Sequence, residues 1–150
     1  MRDVLWMIGF LVLTLGGGLA IGFWARPGDW YARLRKPSFN PPNWVFGPAW
    51  TVLYVMIAVA GYRVFVRAPD GAAMVLWAAG LALNFIWSPV FFRLRSPALA
   101  LAVVLALLAV NVVFIVTSWS VDGAAALLFV PYVAWVAFAS LLNAAVVRLN

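Results

Sequence analysis

The sequence predicts an all-α membrane protein: a bundle of five transmembrane helices with one long loop after the first. Three observations lead there. Hydrophobic residues make up 67% of the 150 residues and charged residues only 9%, whereas a soluble domain carries about a quarter charged. Mean hydropathy is +1.06. Five apolar stretches, 4–24, 44–66, 72–92, 98–119 and 123–147, reach the roughly 20 residues that a bilayer core demands of a helix. The length suits one domain, so a single transmembrane domain over 1–150 is expected.

The missing residue types narrow the chemistry. The chain has no cysteine, histidine or glutamate. Its four acids are Asp3, Asp29, Asp70 and Asp122, none of them mid-span, and its only lysine, Lys36, lies in a loop. Disulfides, thiolate metal sites and thiol catalysis are excluded. No carboxylate inside the membrane can relay protons, no helical lysine can form a Schiff base, and haem iron would find no histidine or cysteine ligand. No metal site is predicted. The net charge of +6 gathers at the membrane edges, where it suits anionic head groups or an acidic ligand. No nucleic-acid motif is present, and no such partner is expected.

The first stretch resembles a signal peptide, but its apolar run is too long, Arg2 and Asp3 cancel at its start, and no A-x-A site precedes Arg26. It reads as a retained helix. Gly16, Gly17, Gly18 and Gly22 lie on it, and Gly18-x-x-x-Gly22 is a small-residue face that serves either packing inside the bundle or a dimer seam. Ala98, Ala102 and Ala106, and Ala78 with Ala82, offer the same spacing, so the sequence does not choose a dimer face.

Loop 1, residues 25–43, is the longest connection. Asp29 is expected to cap a short helix through Leu34. Trp30 and Tyr31 then lie at interface depth, with Arg33, Arg35 and Lys36 toward lipid phosphates. This reads either as an aromatic belt with basic anchors or as a cover. Pro37, Pro41 and Pro42 stiffen it by fixing φ, which favours a shaped cover over a tether. Asn43 is expected to cap the second span. Ala68-Pro-Asp-Gly71 is a turn by composition. Ser96 is expected to cap the fourth span with Pro97 at its first position. Asp122 is expected to cap the fifth, a reading preferred to a catalytic one.

Arg26, Arg33, Arg35, Lys36, Arg93, Arg95 and Arg148 gather on one side of the bilayer, and Arg2, Arg63 and Arg67 on the other. The positive-inside rule then places the N-terminus outside, with loop 1 and the C-terminus cytoplasmic.

Inside the spans, Phe46-Gly-Pro48, Trp87-Ser-Pro89 and Phe129-Val-Pro131 each set an aromatic two residues before a proline. Proline deprives the carbonyl four residues back of its donor, Phe85 for Pro89 and Leu127 for Pro131. In hydrocarbon such a carbonyl must find another donor or line a cavity. Aromatic stripes run along three helices: Trp50, Tyr54 and Ile57; Asn84, Trp87, Ser88 and Phe91; Tyr132, Trp135, Ala139 and Asn143. Asparagine in hydrocarbon is expected to face the bundle interior and bond across helices. Asn111 reads as structural, and Asn84 and Asn143, beside aromatics, as structural or ligand-contacting. Of nine tryptophans, Trp6, Trp24, Trp44 and Trp119 sit at span ends as belt residues, Trp77 is intermediate, and Trp50, Trp87 and Trp135 lie within spans. Flat π surfaces at depth suit a flat apolar ligand, and no nucleophile–base pair accompanies them. The residues describe a binding pocket without hydrolytic chemistry.

Trp30-Tyr31, Leu34, Lys36-Pro37-Ser38-Phe39-Asn40-Pro41-Pro42, Trp44 to Trp50, Tyr54, Asn84-x-x-Trp87-Ser88-Pro89-x-Phe91-Phe92 and Pro131-Tyr132-x-x-Trp135-x-x-Phe138-Ala139-Ser140-x-x-Asn143 resemble the tryptophan-rich sensory protein family, the bacterial branch of the translocator protein or peripheral benzodiazepine receptor. The resemblance covers essentially the whole chain. It implies a usually dimeric five-helix bundle in a bacterial membrane that binds porphyrins such as protoporphyrin IX, sterols and synthetic isoquinoline or benzodiazepine ligands beneath loop 1. By position, Trp30, Trp50 and Trp135 match tryptophans tied in the family to ligand binding and light-dependent porphyrin breakdown. Tyr54, Asn84, Trp87, Tyr132 and Ala139 match pocket-lining positions. With Phe46, Phe91 and Asn143 they form the expected ligand set, and Arg33, Arg35 and Lys36 the expected contacts to anionic groups. Ala144 stands where the family's cholesterol-recognition motif has an aromatic, which puts sterol binding through that motif in question. No cofactor is required. Two readings follow: transport or sensing of tetrapyrroles, or an enzyme degrading porphyrin under light and oxygen with Trp50 and Trp135 as electron donors.

Overall fold

The computed structural model describes residues Met1–Asn150. It contains five long helices and one short one: α1 (Arg2–Trp24), α2 (Asp29–Arg33), α3 (Asn43–Arg67), α4 (Ala72–Arg93), α5 (Pro97–Ser118) and α6 (Gly123–Leu149). There is no strand. The five long helices are each long and apolar enough to cross a bilayer, and each expected span matches its helix to within two residues at either end. The chain is a multi-pass membrane protein.

The helices form a ring. α1 packs on α3, α3 on α6, α6 on α5 and α5 on α4, while α4 returns to touch α1 and α3. α5 and α6 make the most extensive pair, as expected for neighbours joined by a short turn. Ile57, Val64, Trp77, Leu107, Phe114, Phe129, Tyr132 and Val136 fill the centre. α1 is the outlying helix: only Phe10 and Thr14 are buried on it.

Two glycines explain how α1 comes close. A Cβ on Gly17 would lie 2.6 Å from the Phe85 ring, and one on Gly18 would overlap the Tyr54 ring. Gly22 meets open space. Gly18 therefore serves packing inside the bundle, and Gly22 does not share that interface. A π-turn over Val12–Gly16 adds a residue to the helical repeat there, and Thr14 is fully buried. Its hydroxyl donates to the Tyr54 carbonyl at 2.9 Å.

Pro89 opens a second π-turn, Pro89–Arg93, in which the Leu94 N–H reaches the Pro89 carbonyl at 2.9 Å. Pro48 and Pro131 sit within α3 and α6. They flank an open apolar groove of about 420 Å³ between those helices, with Val52, Leu53, Met56 and Trp135 along it.

Two expected caps form. Ser96 Oγ accepts from the Leu99 N–H at 3.3 Å, and Asp122 Oδ1 from the Ala125 N–H at 3.0 Å. Two do not. Gly28, in extended backbone, precedes α2, so Asp29 falls in its first turn, where its charge complements the helix dipole. Pro42, extended at φ −56° and ψ 145°, takes the capping place before α3, and Asn43 becomes the first helical residue with no side-chain cap.

Asp122 does more than cap. Arg63 Nε lies 3.1 Å from Oδ1 and Arg67 Nη1 2.7 Å from Oδ2. The last turn of α3 is thereby tied to the start of α6 at the end away from loop 1. Burial pushes the Asp122 carboxyl up, but the Ala125 N–H and the two guanidiniums outweigh it and hold the group below its ordinary range.

Candidate functional site

Loop 1 is docked on the bundle. Trp30 and Tyr31 meet Phe91 edge-on at ring distances of 5.9 and 6.1 Å, and Tyr31 also meets Phe92 at 5.3 Å. Phe39 reaches Phe138 at 6.3 Å. Asn150 brackets the backbone of Arg35, accepting from its N–H at 3.0 Å and donating to its carbonyl at 2.9 Å. Aromatic seating and this clasp make the loop a fixed cover.

Below it, α3 and α6 bring four aromatics together. Trp50 stands perpendicular to Trp135, at 89° and 6.4 Å, and meets Tyr54 at 5.5 Å and Tyr132 at 6.4 Å. Phe46 extends the group against Trp135 at 6.0 Å. The spacing of Phe46, Trp50 and Tyr54 places them on one face of α3. Tyr132 and Trp135 share a face of α6 by the same rule.

Asn84 closes the floor of this cage. The Tyr54 hydroxyl donates to Asn84 Oδ1 at 2.8 Å, and Asn84 Nδ2 donates to the Tyr132 hydroxyl at 2.6 Å. Three helices are joined at one buried amide. Hydrocarbon offers no alternative partner, so each such bond across helices holds the junction. Asn84 and Tyr132 are buried, while Trp50, Tyr54 and Trp135 are half-buried.

The other expected residues form a second group nearer the loop. Trp87 stacks on Phe91 at 5.0 Å and 26°. Its indole N–H donates to Asn143 Oδ1 at 3.0 Å, and Asn143 Nδ2 donates to the Pro97 carbonyl at 2.8 Å. Trp30 and Phe91 belong to this group, which joins α2, α4, α5 and α6. Asn84 and Trp87, one turn apart on α4, connect the two groups. Ala139 is half-buried, one turn beyond Trp135, and packs on the core. Arg33 and Arg35 are exposed, whereas Lys36 is half-buried over the Tyr31 ring, with Nζ 4.4 Å from its centre.

Two tryptophan and asparagine assignments sharpen. Trp77 is a core residue: buried, bonded to the Ile57 carbonyl at 2.9 Å and packed where Gly61 leaves room. Asn111 faces the interior as expected, but the expected bond across helices is missing. Both of its side-chain polar atoms lack a partner, and its Oδ1 faces the gap that Gly80 leaves open. It lies beside Tyr132 without completing a well-aligned bond.

Sequence reasoning did not mark Thr14 or Asn150, named Phe85 only for its backbone carbonyl, and named Phe39 and Phe138 only within the matched motifs. Thr14 is the one hydroxyl-bearing residue of the first span, which is the signal that marks it. The others are ordinary by type and acquire their place only through contacts between helices.

The sequence profile of the TspO/MBR family matches residues 10–149. The chain belongs to the TspO/MBR family. Similar relatives include protein CrtK of Rhodobacter capsulatus, 39% identical over 100% of this chain and 95% of that protein. A tryptophan-rich sensory protein of Cereibacter sphaeroides is 40% identical over 90% of this chain and 85% of its own. The translocator protein of Homo sapiens is 39% identical over 81% and 75%. In this TspO/MBR protein the cage supplies flat π faces, two phenol hydroxyls and one amide. None of these is a strong acid or base at neutral pH, so the arrangement can hold and orient a flat molecule but has no group for hydrolysis.

Proposed function

We propose that the chain binds a flat, largely apolar macrocycle of the tetrapyrrole class and acts in its transport or sensing. The observation that carries this reading is the perpendicular pair Trp50 and Trp135, floored by Tyr54–Asn84–Tyr132 and roofed by a docked loop. The two indoles meet each other edge to face, so a flat ring would lie against the pair and meet one indole face and one indole edge, contacts aromatic groups favour. The test is titration of the purified protein with protoporphyrin IX, following tryptophan fluorescence. Saturable quenching at micromolar ligand, weakened by Trp50→Phe and Trp135→Phe, is expected. Absence of saturable quenching sinks the reading.

The same indole pair supports a second reading, light-driven oxidation of the bound porphyrin by oxygen with the indoles as electron donors. Illumination should then give a new bilin-like absorbance. Conversion undiminished in both phenylalanine variants rules it out. We further place loop 1 on the cytoplasmic side. Since the chain has no cysteine, Ser38→Cys labelled by an impermeant thiol reagent in intact cells would reverse that placement.

A further inference from the structure

Loop 1 encloses a second concavity, distinct in character from the cage. It is a cleft of about 610 Å³ between the turn before α2 and the segment leading into α3, and Tyr31, Lys36, Asn40 and Asn43 supply its polar side chains. No carboxylate lines it. Lys36 has no acidic partner, because both ion pairs of the chain converge on Asp122 at the opposite end. The ammonium is instead held in place by the Leu34 carbonyl at 3.4 Å and by the Tyr31 ring. Burial pushes the Tyr31 hydroxyl up, partly offset by the nearby Asn40 side chain, so it remains a neutral donor, while Asn40 Nδ2 donates to the Pro41 carbonyl at 3.3 Å. The loop carries Arg26, Arg33, Arg35 and Lys36 against Asp29 alone, a local charge of +3 from four cations and one acid. A polar cleft with a fixed, unpaired cation and neutral amide and hydroxyl donors is suited to an oxyanion.

Its position connects it to the cage. Asn43, Phe46, Trp50 and Tyr54 follow one another at i, i+3, i+7 and i+11 along α3, on one face. The seven residues from Asn43 to Trp50 rise roughly 10 Å. Asn43, on the cleft lining, therefore stands two turns beyond Trp50 toward loop 1, the side from which an acid arm of a ring held at Trp50 would enter the cleft.

We propose that this cleft is an acid-recognition site, in which Lys36, assisted by Tyr31, Asn40 and Asn43, takes a carboxylate carried by the ring ligand in the cage. The proposal rests on the tetrapyrrole reading above. It assigns the acid to the cleft side chains and not to the solvent-exposed Arg33 and Arg35.

The experiment compares protoporphyrin IX with its dimethyl ester, which keeps the ring and removes both charges. Binding is followed by fluorescence quenching of the full chain in phosphatidylcholine nanodiscs. The free acid is expected to bind roughly tenfold more tightly than the ester, the low end for a hydrogen bond to a charged group. Lys36→Met should remove that preference and leave ester binding unchanged. Equal binding of acid and ester by the natural chain, or equal weakening of both by Lys36→Met, overturns the acid site while the cage reading stands. Failure of either ligand to bind overturns both. A second arm adds anionic phosphatidylglycerol to the discs. If Lys36→Met matters only there, and not between acid and ester, the cleft holds a lipid phosphate and the proposal is wrong.

Discussion

Asn84→Leu is the most discriminating change to the cage floor. Leucine keeps the branched heavy-atom shape of asparagine, though with bulkier methyl groups, and removes both bonds that Asn84 makes, to Tyr54 at 2.8 Å and Tyr132 at 2.6 Å. Side-chain hydrogen bonds between membrane helices contribute about 0.6 kcal/mol on average and up to about 1.7. Two of them set a cost of about 1–3 kcal/mol, weighted upward because Tyr132 is only 1% exposed and its buried hydroxyl would lose the bond it accepts from Asn84. The same substitution in a Tyr54→Phe/Tyr132→Phe background removes no partner from anyone, and its cost should fall below about 0.5 kcal/mol. Reversible unfolding in mixed micelles of mild detergent and sodium dodecyl sulfate measures all four corners of the cycle. An equal cost in both backgrounds would mean that the three groups do not act together, and that packing volume alone explains Asn84.

Asp122→Asn keeps a capping acceptor and loses two ion pairs to part-exposed arginines, so it should cost under about 1 kcal/mol; Asp122→Ala loses the cap as well and should cost about 1–2.5 kcal/mol. Since the folded carboxyl is held below its ordinary range, its contribution is present above the unfolded pKa near about 4 and lost as pH falls through the folded value. Thermal melts between pH 7 and pH 3 should therefore fall more steeply for the natural chain than for Asp122→Asn. Gly18→Ala forces a Cβ onto Tyr54 and should cost about 1–3 kcal/mol by overpacking, while Gly22→Ala, in open space, should melt like the natural chain. Replacing Pro41 and Pro42 by glycine should weaken porphyrin binding and leave the helical circular dichroism intact; unchanged affinity would reduce loop 1 to an interfacial anchor.

The uneven legibility of this chain has one physical source. In a soluble helix the apolar stripe points inward, but every span here is apolar on all sides, because lipid and core ask for the same residues. Length alone therefore located the five helices, while the hydrophobic pattern gave no inward face. Only residues costly in hydrocarbon carry that information. Thr14, Asn84, Asn111 and Asn143 are all buried, and three of the four are bonded to another element. Local caps were legible where the donor lies three residues away, as for Ser96 and Asp122. They failed where Gly28 and Pro42 displaced the helix start by one residue. Partners supplied by another helix were not legible at all. In the sequence Arg63 and Arg67 read as membrane-edge charges, and nothing local ties them to Asp122, more than fifty residues away.

Asn111 shows what the same rule demands when it is not met. Its amide is fully buried, with neither polar atom bonded, in a setting where an unsatisfied group costs on the order of 1–3 kcal/mol. It stands beside Tyr132, whose hydroxyl already accepts from Asn84 and retains one proton to donate. A small rotation of the Asn111 amide would extend the chain Tyr54–Asn84–Tyr132 to a fourth helix. Asn111→Leu separates the two cases. If the amide is an unmet cost, the variant is at least as stable as the natural chain. If it completes the polar chain, the variant loses about 1 kcal/mol, and Tyr132→Phe in that background costs less than it does alone. A loss for Asn111→Leu that is simply additive with Tyr132→Phe would refute the link between them.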